Sequence, residues 1–153
     1  MTAQETIHAF YTAFAASDAE AMAKLYHPEV EFEDPAFGKL KGVEAAMMWK
    51  MLTGRAGDNL KIEFKDVTAN SATWIAHYPF GPKKRPVVNQ IQAKFEFKDG
   101  LIIKHTDTFD LHKWAKQALG FSGWLLGGTA FFKKKLNAKT KAQLASYMAK
   151  QSS

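Results

Sequence analysis

From Val87 to Phe109 apolar and polar residues alternate, with a single interruption at Asp99-Gly100. A period of two marks strands that turn one face to a core, and Asp-Gly is a strong signal for a tight hairpin. The stretch therefore predicts two long antiparallel strands. On the first, Val87, Asn89, Ile91, Ala93, Phe95 and Phe97 share a face. On the second, Leu101, Ile103, His105, Asp107 and Phe109 do. Three of these inward positions are polar, and burying a polar group without a partner is unfavourable. Asn89, His105 and Asp107 thus need either partners or a purpose.

Upstream the periodicity changes. Ile7, Phe10, Tyr11 and Phe14 fall at helical spacing. Ser17 and Glu20 read as a capping box for a second helix, with Met22, Leu25 and Tyr26 on its apolar side, ended by His27-Pro28. Residues 30–34 alternate again, which puts Asp34 on the face of Val30 and Phe32. A third helix runs from Val43 to Leu52, and further strands cover residues 61–65 and 73–80. Three helices followed by an antiparallel meander is an α+β pattern. After Asp110, which is placed to cap a helix beginning at Leu111, come a Gly-rich stretch and a Lys-rich final helix. One domain accommodates all 153 residues.

The chain has no cysteine, which excludes disulfides, thiolate nucleophiles and Cys-bound metals. The net charge of +6 belongs to the end of the chain. Residues 131–153 hold six lysines and no acidic residue, and the other 15 basic residues balance 15 acidic ones. A nucleic-acid footprint over the domain is therefore not expected. No Gly-rich phosphate loop or nucleophile elbow is present, and His105, Asp107, Asp110 and His112 lack the spacing of a metal site, so neither cofactor nor metal is expected. Met1 to Ile7 do not resemble a secretory leader, and a cytoplasmic location is the default expectation. Trp124, Leu125, Leu126, Phe131 and Phe132 stand beside Lys133-Lys134-Lys135. Two arrangements are open: the apolar residues close the mouth of the fold while the lysines face water, or the segment touches an anionic membrane surface. The first is expected here.

Asp34 in apolar company would have its pKa raised by desolvation, which suits a general base near neutral pH. His105 and Asp107, two apart on one strand face, could form an acid/base pair in which the carboxylate orients the imidazole. Asn89 would serve as a substrate-side hydrogen-bond donor. Phe10, Tyr11, Tyr26, Trp49, Trp74 and Tyr78 are candidates to line an apolar pocket. Each of these groups also has a purely structural reading: a buried polar side chain satisfying a network, or an aromatic filling a core.

The Val30-Glu31-Phe32-Glu33-Asp34-Pro35 run resembles the general-base segment of ketosteroid isomerase, with Asp34 on the base. In that resemblance Phe10 and Ala93 occupy the positions of the oxyanion tyrosine and aspartate. Arg85-Pro86-Val87-Val88-Asn89, Phe95-Glu96-Phe97-Lys98-Asp99-Gly100, His105-Thr106-Asp107 and Phe109-Asp110-Leu111 resemble segments of SnoaL-like proteins within the nuclear-transport-factor-2-like superfamily, as do Trp114 and the Gln117-Ala118-Leu119-Gly120 run. The His105-x-Asp107 pair is also similar to the Arg/Asp pair of limonene epoxide hydrolase. The resemblance implies a cone: a curved antiparallel sheet packed on three N-terminal helices over residues 1–127, with a helical extension of the same domain over 128–153. It also implies a small apolar ligand, cofactor-free isomerase, cyclase or hydrolase chemistry, and a homodimer formed through the sheet. A non-catalytic ligand-binding or assembly module on the same fold is the alternative.

Overall fold

Thr2 opens the chain's first helix. Its hydroxyl accepts from the Glu5 N–H, and the Glu5 carboxylate accepts from the Thr2 N–H, a reciprocal capping box. The computed structural model describes residues 1–151, so the last two residues of the expected extension lie outside the described part. Helix α1 (Ala3–Ala15) buries Ile7, Phe10, Tyr11 and Phe14, the stripe expected from their spacing. Helix α2 (Ala19–Lys24) is capped by Asp18, whose carboxylate accepts from the Ala21 N–H. The expected Ser17 cap is thus displaced by one residue, because Ser17 adopts positive φ in the turn between the helices.

Tyr26 does not end that helix, as its spacing suggested, but starts strand β1 (Tyr26–Asp34). A register irregularity between Tyr26 and Glu31 accommodates Pro28, which has no N–H to give to a ladder. β1 turns at Pro35-Ala36-Phe37 into β2 (Gly38–Lys41), a strand the sequence pattern did not reveal. Its four residues are too few to show a period. Helix α3 (Val43–Ala56) follows. Then come β3 (Lys61–Lys65), β4 (Ser71–Phe80), β5 (Arg85–Lys98) and β6 (Leu101–Thr108). Asp99 and Gly100, both at positive φ, make the β5–β6 turn.

The strands form one six-stranded curved sheet in the order β2-β1-β6-β5-β4-β3. The fold class is the expected α+β cone, with one refinement: β1 and β6 pair parallel, so the sheet is mixed. The meander from β3 to β6 ends beside the strand that preceded α3, and it arrives pointing the same way. A bulge corrects a second expectation. Glu96 pairs with Lys104 but Phe97 with Ile102, so Ile103 is an extra residue on β6. The slip turns Ile102 into the core, fully buried, in place of the expected Leu101 and Ile103. Beyond it the alternation resumes with His105 and Asp107 inward.

The main core lies between this sheet and α1–α3. Asp110 caps α4 (Leu111–Leu119) as expected, accepting from the Lys113 N–H. A short α5 (Phe121–Leu126) occupies the Gly-rich stretch, and α6 (Ala130–Gln151) completes the chain. α6 returns across the domain: Leu144 is buried in the main core, with Tyr147 and Met148 packed against it. Asn137 Nδ2 donates to the carbonyls of Pro35 (2.8 Å) and Ala36 (2.9 Å), and Thr140 Oγ1 donates to Ala36 (2.9 Å). The final helix is therefore fastened to the loop that follows Asp34. No helix among the described residues is long and apolar enough to cross a membrane.

Candidate active site

Two polar groups of the interior sit where β6 places them, at inward positions past the bulge. His105 is 0% exposed and Asp107 2%. Both imidazole nitrogens are engaged. Nδ1 lies 2.8 Å from the Tyr26 hydroxyl and Nε2 2.8 Å from Asp107 Oδ1. Trp49 Nε1, which can only donate, gives its hydrogen to the Tyr26 oxygen at 2.8 Å. The Tyr26 proton is then directed to His105 Nδ1, and the imidazole presents its own N–H at Nε2 to Asp107. The Trp74 indole approaches the same carboxylate oxygen at 3.4 Å. A continuous chain of Trp49, Tyr26, His105 and Asp107 thus crosses the core.

Rings hold this chain in place. Phe95 stacks on the His105 imidazole at 4.4 Å, Trp49 stacks at 6.1 Å, and Phe10 and Phe32 meet it edge-on. Of the six aromatics expected to line a pocket, Phe10, Tyr11, Tyr26, Trp49 and Trp74 all lie in this sealed interior. Tyr26 and Trp49 also belong to the hydrogen-bond chain, a role their spacing could not announce because their partner is 79 residues away from Tyr26. Among the described residues two buried side-chain oxygens are left unpartnered: the Tyr11 hydroxyl and Asp107 Oδ2. Burial raises the Tyr11 and Tyr26 hydroxyls well above their usual range, and the Asp107 charge adds to the rise. Both phenols are therefore held as neutral O–H groups.

Asp34 closes β1 on the same inner face. Phe32 pairs with His105 and Glu33 with Thr106, so the next positions, Asp34 and Asp107, adjoin across the parallel strands. The axes of neighbouring strands are roughly 5 Å apart. Oδ1 of Asp34 accepts from the backbone N–H groups of Phe37 (2.6 Å) and Ala36 (3.0 Å) in the turn that follows. Burial, with the nearby Asp107 charge adding to it, outweighs these two bonds and pushes the Asp34 carboxyl up to about 7. Asn137 and Thr140 of α6 hold the outer side of this turn through the carbonyls of Pro35 and Ala36. These α6 groups were not among the sequence candidates, since an Asn and a Thr within a Lys-rich helix carry no distinguishing signal.

The remaining candidates, like half-buried Asp34, stand near the rim. Tyr78 and Asn89 are half-buried on the inner faces of β4 and β5. The Tyr78 oxygen accepts from Trp114 Nε1 at 2.7 Å, which anchors α4 to the sheet and leaves the Tyr78 proton free to be given elsewhere. Burial raises the Tyr78 hydroxyl and the Asp34 charge adds to the rise, so the two groups are within electrostatic reach. Ala93, at the position of ketosteroid isomerase's oxyanion aspartate in the resemblance, is the register partner of Asp107. The carboxyl missing from β5 is thus present one strand away on β6. The sheet's outer face is polar, with a Lys104–Glu96 ion pair and a Thr73–Gln92 hydrogen bond.

Residues 7–105 match the SnoaL-like domain family. No curated protein is significantly similar in sequence. Among solved structures, the chain is similar to a candidate polyketide cyclase from Xanthomonas campestris pv. campestris, at 20% identity and a TM-score of 0.60 over 76% of this chain and 96% of that one. It is also similar to an LEH-like epoxide hydrolase of M. tuberculosis (20% identity, TM-score 0.58, 80% and 94% covered). A third likeness is to a protein of ketosteroid isomerase-like fold from Catenulispora acidiphila, in complex with trimethylamine (19% identity, TM-score 0.57, 74% and 92% covered). At these identities the likenesses establish the fold.

Proposed function

Since the chain belongs to the SnoaL-like domain family, we propose that it takes up a small apolar molecule at the rim of its cone, beside Asp34, Tyr78 and Asn89, and moves a proton on it without a cofactor, with Asp34 as the base. One observation carries the reading: two inward carboxylates, Asp34 and Asp107, stand side by side in an otherwise aromatic interior. A carboxyl raised to about 7 is half ionised at neutral pH, so it can take a proton from carbon and return it.

The step suited to these groups is abstraction of a proton next to a carbonyl. The Asp34 carboxylate takes that proton, the C–H electron pair moves into the adjoining C–C bond, and the carbonyl oxygen becomes an enolate oxygen. The enolate needs a neutral donor. Tyr78 supplies one, with its oxygen held by Trp114 and its proton free. Asn89, on the strand next to that of Tyr78, orients the substrate in this reading. Asp107 keeps Asp34 basic, and His105, engaged at both nitrogens, holds Asp107 in position. His105 thereby acts as the orienting member of the pair. This reverses the roles its sequence spacing suggested.

The test uses 2-tetralone, a ketone with acidic α-hydrogens, in deuterated buffer, with exchange followed by proton NMR. The wild-type protein should accelerate exchange, and Asp34→Asn should lower the rate about 100-fold or more. The wild-type rate should rise with pH through about 7 as Asp34 ionises. Equal rates for the two proteins would remove Asp34 from the role of base.

A further inference from the structure

The apolar residues beside the lysine run do not close the mouth of the cone. Phe121 is 74% exposed, Trp124 53%, Leu125 59% and Phe131 64%. Only Phe132 and Leu136 of this region turn inward, against Trp114 and Val87. The exposed side chains are not on a frayed end. Gly123 is buried so closely against the Ala115 carbonyl that an added Cβ would collide with it. His112 Nε2 donates to the Trp124 carbonyl at 2.6 Å, which fastens α5 to α4. Arg85 Nε donates to the Gln117 carbonyl at 2.9 Å, bringing the basic Lys83-Lys84-Arg85 turn to the same end of the domain. The Phe121 and Trp124 rings stack at 5.8 Å, and Lys135 Nζ sits 5.0 Å over the Phe131 ring.

Charge distinguishes this surface from an ordinary apolar contact. After Asp110 the chain carries eight lysines and no Asp or Glu. Lys113, Lys116, Lys133, Lys134, Lys135 and Lys139 are exposed. An exposed set of aromatic and leucine side chains on a segment that carries lysines and no acidic residue matches an anionic bilayer: the rings enter the headgroup boundary and the lysines meet the lipid phosphates and carboxylates. A second copy of the chain would bring the same lysines against one another, which electrostatics opposes.

We propose that α5 and the first turns of α6 form a docking surface for anionic membrane, with Phe121, Trp124, Leu125 and Phe131 as the inserted groups and Lys133, Lys134 and Lys135 as the headgroup contacts. The inference stands apart from the reading of the cone interior, since it uses none of the same side chains.

The test is flotation of the full chain with vesicles of phosphatidylcholine containing one part in three of phosphatidylserine, against vesicles of phosphatidylcholine alone. Binding to the anionic vesicles is expected, weakening as salt rises. Lys133→Glu/Lys134→Glu/Lys135→Glu should reduce partitioning about 100-fold or more. Trp124→Ser/Leu125→Ser should reduce it about tenfold or more. Both variants change only exposed positions, and unaltered circular dichroism would verify their fold. Absence of anionic-vesicle binding, or binding insensitive to both variants, overturns the proposal. So does a wild-type dimer, seen by sedimentation, that Trp124→Ser/Leu125→Ser converts to monomer, because a second copy would then cover the surface.

Discussion

Replacing Asp34 by Asn should stabilise the protein above neutral pH and leave its stability unchanged in acid. Burial carries the Asp34 carboxyl from its ordinary 3.8 to about 7. The folded state therefore keeps a proton across a window in which the unfolded chain has already released it. In that window stability falls as pH rises, and above about 7 the full cost of the buried charge is present. At about 1.4 kcal/mol per pH unit, the interval from 3.8 to about 7 sets a ceiling of about 4 kcal/mol. Solvent at the half-buried rim reduces this to about 2 kcal/mol in practice. An Asn Oδ1 still accepts from the Ala36 and Phe37 N–H groups, so the turn after β1 keeps its hydrogen bonds. Urea denaturation read by circular dichroism at pH 4, 5.5, 7 and 8.5 provides the comparison. The variant should match wild type at the lowest pH and exceed it by about 2 kcal/mol or more at the highest. Curves that stay parallel across the series would refute the argument, for Asp34 would then titrate alike in both states.

Two further outcomes follow from the hydrogen-bond chains. Tyr26→Phe removes the hydroxyl between Trp49 and His105, leaving a buried N–H and a ring nitrogen unpaired. It should cost about 3 kcal/mol by urea denaturation, and a cost under about 0.5 kcal/mol would show that the chain does not hold the core together. Asn137→Ala frees the Pro35 carbonyl from α6, leaves Ala36 only its Thr140 bond, and gives water a path to Asp34. The pH midpoint of tetralone exchange should then move down from about 7 towards the ordinary carboxylate range. An unchanged midpoint would separate the final helix from the site.

The sequence was most informative where one period ran long. The β5–β6 hairpin, the α1 stripe and the inward placement of Asp34, His105 and Asp107 all follow from alternation or helical spacing. It misled where a local device reset the count. The extra Ile103 moved Ile102 into the core, and Tyr26 left the helix because its hydroxyl is required 79 residues away. The parallel β1–β6 pair depends on how the meander returns, which no local pattern encodes. The outward turn of α5 is hidden from the sequence for a related reason. Aromatic residues near a cone's end satisfy a closing role by composition, and only the burial of Gly123 against Ala115 turns Trp124 and Leu125 outward.

The same tertiary facts decide how the two halves of the polar interior divide their work. His105 alone would be the natural acid/base group near neutral pH. Here each of its nitrogens already has a partner at 2.8 Å, and five rings enclose it, so it cannot swing to a substrate without breaking the Trp49–Tyr26 chain. A group so held serves best by fixing a charge. It fixes that of Asp107, one of whose oxygens remains open. The fixed charge beside Asp34 adds to desolvation in keeping that carboxyl near neutrality. Removing the imidazole should therefore act on the proton affinity of Asp34. His105→Gln, which retains polar atoms in the core, should shift the pH midpoint of exchange more than it lowers the plateau rate. A loss of plateau with the midpoint unmoved would instead assign His105 a direct part in proton transfer.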